Sequence, residues 1–373
     1  MQDVQPQGLQ LNVTLDVRAL DSHEGYSQSA ILPLAGIGVL RQDDLMWGRS
    51  SFGLRWRSTI QGYATDAEVS TAYSDQEQRM LLDHARVGLA FDPHWRADLG
   101  RMNPLFADQA KVWPITDLMM QGLLGDDHWH ADGMTVTYRD ARSDHLSAQF
   151  GLYGKGAYVG SQGNIGLWTL GAAWRPLMQP NLKLSASVGY VPDVIRQSSI
   201  EQSRIPLPHS HDTNVSACGQ SLTCVDGDSR FVWLSARWQP LQHVPQASVG
   251  LYGLLRRESG QLNGRNGVVD YQGDLGAVVI EGIYPIMSEW QLGARYEWLS
   301  IQHEVHGPNA SMVSRDAGLS DNAHTPKRLG LMLSYSGLDH SRVNLAVFDD
   351  RTRVKADTLV SLGLVFDGQM RVW

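Results

Sequence analysis

The sequence predicts an all-β chain, a transmembrane antiparallel up-and-down β-barrel of about sixteen strands. Three observations predict it. Apolar and polar residues alternate with a period of two from end to end. Connections alternate between short and long. Trp95, Trp174, Trp238 and Trp290 each stand within a few residues of a short connection.

Composition sets the bounds. The 373 residues are 42% hydrophobic with a mean hydropathy of −0.26. A soluble protein shows such values, and so does a membrane barrel, because half of each spanning strand faces water. A helical membrane protein is excluded. The longest nearly apolar run, AILPLAGIGVL at 30–40, falls short of the roughly 20 residues a spanning helix needs. No Pro/Ser-rich linker divides the chain, so 1–373 reads as a single domain. The polar start MQDVQPQG reads as a mature N-terminus. A net charge of −8 argues against nucleic acid as a partner. The basic residues are nearly all Arg, with Lys only at 111, 155, 183, 327 and 355. Arg offers a fixed charge and a planar five-donor fork, which suits a permanent charged surface.

The alternation is clearest in NLKLSASVGY (181–190). Leu182, Leu184, Ala186, Val188 and Tyr190 share one face, and Lys183, Ser185, Ser187 and Gly189 the other. SFGLRWRSTIQGY (51–63) sets Phe52, Leu54, Trp56 and Ile60 against Arg55, Arg57, Thr59, Gln61 and Tyr63. LSAQFGLY (146–153), WQLGARYEWL (290–299), RLGLMLSYS (328–336) and TLVSLGLVFD (358–367) behave alike. The expected strands are 10–23, 30–42, 50–66, 78–92, 95–105, 132–142, 146–157, 164–175, 181–193, 229–239, 245–259, 268–285, 289–304, 326–337, 341–353 and 357–367. In DGQMRVW (367–373) the alternation breaks, so Phe366 is expected to end the last strand, with a tail after it.

Short connections are expected at 92–94, 142–145, 175–181, 239–245, 286–290 and 337–341. Longer polar ones are expected at 67–77, 106–131, 194–228, 260–267 and 305–325. In a meander, alternation of this kind places short turns at one end and long loops at the other, the asymmetry of a membrane barrel. The four tryptophans then form one ring at the short-turn end, where an apolar ring body with a polar N–H suits the headgroup level. The apolar faces meet lipid and the polar faces a lumen.

These strands, turns such as DPHW and RSDH, and the closing run TLVSLGLVF make the chain resemble the Gram-negative outer-membrane porins. The resemblance covers nearly the whole length and is one of pattern. It implies a bacterial outer-membrane location with lipid and lipopolysaccharide around the wall. It implies short periplasmic turns and long extracellular loops, and it favours a homotrimer over a monomer without fixing the choice. It also implies passive diffusion of small hydrophilic solutes, and a third long loop, 106–131, folded into the lumen as a constriction.

With the polar faces inward, Arg55, Arg57, Arg86, Arg96, Arg139, Arg175, Arg237, Arg256 and Arg295 line the channel. Against them stand the fewer inward acids Asp98, Asp274 and Glu297. Either the guanidiniums form an anion-attracting strip, or they pair with acids and stiffen the wall. Within 106–131, Asp117, Asp126 and Asp127 are expected to face the basic wall. His128 and His130, and His209 and His211 in the long loop 194–228, are candidate ligands for a divalent metal such as zinc or copper at the extracellular loops. No other cofactor is expected. Cys218 and Cys224 in SACGQSLTC read as a disulfide, and so as an oxidising compartment. The chain has no G-x-S-x-G, H-E-x-x-H or P-loop motif, so the channel reading stands ahead of an enzyme. Three rival readings remain: a divalent-metal uptake channel, an exporter or scaffold barrel housing a partner protein, and a barrel enzyme.

Overall fold

A computed structural model describes residues 8–22, 45–46, 50–74, 79–106, 113, 130–140, 145–158, 160–197, 218–240, 247–317, 319, 325–351 and 356–372. The strands are β1 Gly8–Ser22, β2 Leu45–Met46, β3 Ser51–Ile60, β4 Tyr63–Ser74, β5 Arg79–Ala90, β6 Trp95–Met102, β7 Ala131–Arg139, β8 Leu146–Tyr153 and β9 Leu167–Trp174. They continue with β10 Leu182–Gln197, β11 Cys224–Trp238, β12 Ser248–Gly264, β13 Gly267–Pro285, β14 Trp290–His306, β15 Lys327–Leu338, β16 Ser341–Arg351 and β17 Asp357–Arg371. Among the described residues one helix, α1 Ala310–Asp316, precedes β15. Short β2 pairs with β1 at Arg18 and Ala19, and β3 pairs with it at Gly8–Thr14, so the two form one stave. Each stave then pairs antiparallel with the next. β17 returns to β1, from Gln10 opposite Arg371 to Ser22 opposite Leu359, and closes a sixteen-stave barrel.

Closure leaves no sheet edge, the condition for a sheet to sit in hydrocarbon. The outer face fits that setting. Phe52, Val87, Leu99, Leu170, Leu331 and Leu362 all point out and are exposed. At the short-turn end the outer face turns aromatic. Tyr63, Trp95, Trp174, Trp238 and Tyr284 are exposed there, and Trp290 packs on Tyr335 with ring centres 4.7 Å apart.

The element map departs from the sequence expectation at four places. The strand expected at 50–66 is a hairpin. Gln61 and Gly62 both have positive φ, at 52° and 85°, the geometry of a tight primed turn whose twist suits a hairpin. Gln is an unusual choice at the first position, so the turn carried no sequence signal. Tyr63 therefore faces outward on β4, and 67–74, expected within a loop, is strand. The expected strand 30–42 lies outside the described residues. Positions 260–267 are no loop either: β12 and β13 are joined by Arg265–Asn266 alone, with Gly264 opposite Gly267. Finally, β17 runs past Phe366 to Arg371, because closure on β1 pairs 367–371 with Gln10–Thr14.

β3–β9 are 8–12 residues long and β10–β14 are 15–19. A spanning strand needs about 9–11 residues, so β10–β14 rise well beyond the hydrocarbon at the loop end. Their raised inner face is covered by the segment holding α1. Val313, Ala317 and Leu319 pack there against Val225, Leu262, Val269 and Tyr271. Lower down, the inner face of β11–β14 is not bare polar wall. Trp233, Leu254 and Leu299 are fully buried there, in one cluster with Met102 and Leu105 from the end of β6 and Tyr158 from the β8–β9 connection.

The two faces of β8 should respond differently to charge. Phe150 is exposed on the outer face, whereas Gln149 points inward and donates to Thr137 at 3.2 Å. Phe150→Arg should lower unfolding free energy by about 2–4 kcal/mol if the site lies near mid-membrane. Gln149→Arg should cost less than about 1 kcal/mol, as a substitution facing water. Urea titration of the folded barrel in lipid vesicles measures both.

Candidate channel interior

Alternation along β3–β6 brings six charged side chains to one patch of inner wall. Arg86 on β5 is its centre. Its guanidinium reaches Glu68 Oε2 at 2.9 Å and Asp66 Oδ2 at 3.2 Å on β4, and Asp98 Oδ1 at 2.6 Å on β6. Arg96 Nη2 bridges Asp66 at 2.5 Å and Asp98 at 2.6 Å, and Arg55 Nη2 lies 3.7 Å from Asp66. Arg96 reaches Asp66 only because Gly88 lies between them: a Cβ at 88 would sit 1.7 Å from Arg96 Nη2. Glycine here clears a path for a guanidinium. Arg57, two residues from Arg55, also faces inward and makes no ion pair among the described residues.

A second ladder is sealed. Arg256 pairs with Glu258, and Arg295 Nε lies 2.8 Å from Glu297 Oε1 as an ion pair. Arg328 Nε lies 3.1 Å from Asp350 and its Nη1 3.8 Å from Glu297. Aromatic faces cover these cations. Arg256 lies 5.3 Å from the Tyr158 ring centre, and Arg295 lies 4.7 Å from Trp113. Arg256 and Arg295, expected as channel lining, are only 2% and 3% exposed. They point inward, but packed rings and not water meet them. Asp274, expected inward, instead faces out beside Arg257, whose Nε donates to it at 2.6 Å. Pairing with nearby acids thus accounts for Arg55, Arg86, Arg96, Arg256 and Arg295. The partners Asp66, Glu68 and Glu258, and the pairs Asp16–Arg18 and Arg328–Asp350, were absent from the sequence reading. Asp66 and Glu68 fall in or beside 67–77, which looked like a loop. The buried pairs hold charge in a dry setting, where loss of one partner costs about 3–5 kcal/mol.

Elsewhere the balance differs. Arg139, His145, Arg175 and Lys183 line a cavity of about 290 Å³ near the short-turn end, beneath Leu105 and Phe106. The described residues lining it include no carboxylate. Lys183 stands opposite Arg237 across the β10–β11 ladder. Arg139, Arg175 and Arg237 therefore share one region of the wall, with Lys183 and His145 beside them.

Only parts of 106–131 are described. Ser187 on β10 donates its hydroxyl to the Phe106 carbonyl at 2.9 Å. Trp113 is buried against Met332, Phe348 and Leu359 on β15–β17, and its ring lies where side chains at Gly293 and Gly330 would stand. Asp117, Asp126, Asp127, His128, His209 and His211 lie outside the described residues. His130 stands directly before β7, with Nδ1 3.0 Å from Asp83 Oδ1 and Nε2 3.0 Å from His84 Nε2. Cys218 and Cys224 are joined as a disulfide at the foot of β11.

No protein-family model matches the chain, and no curated protein matches it in sequence. Solved outer-membrane barrels share its fold. OmpT, an outer membrane protein of Vibrio cholerae in its in-vitro folded trimer form, gives a TM-score of 0.61 at 13% identity, covering 98% of this chain and 100% of that one. An anion-selective porin from Comamonas acidovorans gives 0.60 at 12% identity, covering 97% and 100%. The outer membrane channel DcaP of Acinetobacter baumannii gives 0.60 at 11% identity, covering 97% and 98%. The chain thus has the fold of a porin-type outer-membrane β-barrel.

Gly88 gives a direct handle on the first charge patch. Gly88→Ala should evict the Arg96 guanidinium and leave Asp66 and Asp98 less compensated. Arg96→Gln should do the same without touching the backbone. Both variants should shift the zero-current potential under a salt gradient toward cations, by similar amounts. Unchanged potentials in both would show that this patch does not face the ion path.

Proposed function

We propose that the protein is a bacterial outer-membrane porin, a channel for passive diffusion of small hydrophilic solutes, with a preference for anions. One observation carries the reading: a closed barrel with an apolar outer face encloses a wall of fixed charges, part of it half-exposed. Such a wall has a use only if water reaches it, since charge buried for its own sake is expensive.

The anion preference rests on the cavity of Arg139, His145, Arg175 and Lys183. On β4–β6 and β14 the inner guanidiniums stand within salt-bridge distance of carboxylates. A passing ion responds to charges within about 8 Å at physiological salt, so a local basic cluster outweighs a distant negative total. The Comamonas porin of the same fold is described as anion-selective, which agrees with this reading.

The segment 106–131 narrows the passage. Phe106 is held at β10, and seven residues later Trp113 is held at β14–β15. Assembly as a trimer belongs to the same proposal, since the Vibrio protein is described in a trimer form.

Planar-bilayer recording tests the reading. The wild-type protein should conduct, and its reversal potential in a KCl gradient should show chloride favoured. The triple variant Arg139→Gln, Arg175→Gln, Lys183→Gln should conduct with a chloride-to-potassium permeability ratio several-fold lower. A folded protein that opens no channel would refute the porin; a cation-preferring wild type would refute the anion preference alone.

A further inference from the structure

The phase of β5 slips in mid-strand. Ser70 pairs with His84 but Thr71 pairs with Leu82, so Asp83 is the extra residue of a bulge. On the loop side of the bulge Met80 and Leu82 face out, and on the other side Val87 and Leu89 do. The slip therefore turns two successive side chains, Asp83 and His84, to the lumen. No regular strand does this.

A third ligand joins them from another element. β6 pairs with β5 only as far as Arg101 opposite Ala85, and its chain leaves the wall after Met102. Across the gap, His130 stands one residue before Ala131, which is the partner of Met102. His130 Nε2 lies 3.0 Å from His84 Nε2, and Asp83 Oδ2 lies 3.8 Å from His84 Nε2. Ligand atoms from all three side chains fall within 4.8 Å of one another. None of the three is exposed: side-chain accessibilities are 16% for Asp83, 29% for His84 and 9% for His130.

We propose that Asp83, His84 and His130 form a divalent metal site of the zinc class in the lumen wall. Two imidazole nitrogens and one carboxylate oxygen, with water completing the shell, suit that ion. Two nitrogens bound to one tetrahedral zinc stand about 3.3 Å apart, close to the separation here. Asp83 Oδ1 also lies 3.0 Å from His130 Nδ1. His84 Nδ1 is buried without a hydrogen-bond partner. In the bare protein the two Nε2 atoms are in hydrogen-bond contact; a bound metal would stand in place of that contact. The site ties the end of 106–131 to β5, as Ser187 ties its beginning to β10.

Metal titration of the folded, untagged barrel in detergent tests this. Co²⁺ serves as a visible probe, followed by displacement with Zn²⁺. The wild type should bind one equivalent, with cobalt bands in the visible that zinc abolishes. His84→Ala and the near-isosteric Asp83→Asn should each weaken binding by about tenfold or more, with the circular dichroism of a folded barrel unchanged. His303→Ala, on β14 beside Tyr271, should leave binding as it is. The proposal fails if the folded wild type takes up no metal at millimolar concentration. It also fails if Asp83→Asn and His84→Ala both keep wild-type affinity, since the imidazoles would then be a hydrogen-bonded pair only.

Discussion

Everything in this molecule follows from one constraint: a strand in hydrocarbon must have every backbone N–H and C=O paired by a neighbouring strand. The β1–β17 ladder, thirteen residue pairs from Gln10–Arg371 to Ser22–Leu359, satisfies it by leaving no edge. Once the sheet is closed, the pleat sorts the sequence. One side chain in two meets lipid and must be apolar, and charge can go only inward. The interior then faces a second requirement. Guanidiniums on a curved wall crowd one another unless carboxylates are interleaved, and β3–β6 and β12–β16 interleave them in register.

The interior is asymmetric as a result. Against β11–β14 it is packed like a soluble core, with Trp233, Leu254 and Leu299 fully buried and the Arg256 and Arg295 pairs beneath aromatic rings. Against β3–β6 the charges are mutually matched, with Asp66 and Asp98 buried and Arg55, Glu68, Arg86 and Arg96 partly exposed. Near the short turns of β7–β10 the described wall is basic. The described inner wall thus passes from interleaved acids and guanidiniums to one lined by Arg139, His145, Arg175 and Lys183.

Sequence alone carries the strands whose outer face meets lipid, because there the physical demand repeats every second residue. It loses them where that demand lapses. On β12 and β13 the run 260–267 is polar because these strands stand above the hydrocarbon, so their turn looked like a long loop. On β4 the outer residues Ala67, Thr71 and Tyr73 give weak contrast. Gln61–Gly62 makes its turn with a residue seldom used there. The Arg face was legible one residue at a time, but its acid partners were not, because pairing across strands depends on register that no local pattern fixes. The bulge at Asp83 lies beyond sequence reading for the same reason: it breaks the very period from which strands are recognised.

The central proposal is that the barrel encloses a water-filled passage and that Trp113, packed on β14–β17, takes up part of its width. Single-channel conductance of Trp113→Ala in planar bilayers tests it most directly. Loss of the indole removes its packing on Phe348 and Met332 and opens the space above Gly293 and Gly330. The account predicts a larger unitary conductance than wild type, with noisier open states. A conductance equal to or below that of wild type, in a variant that still folds, would contradict it.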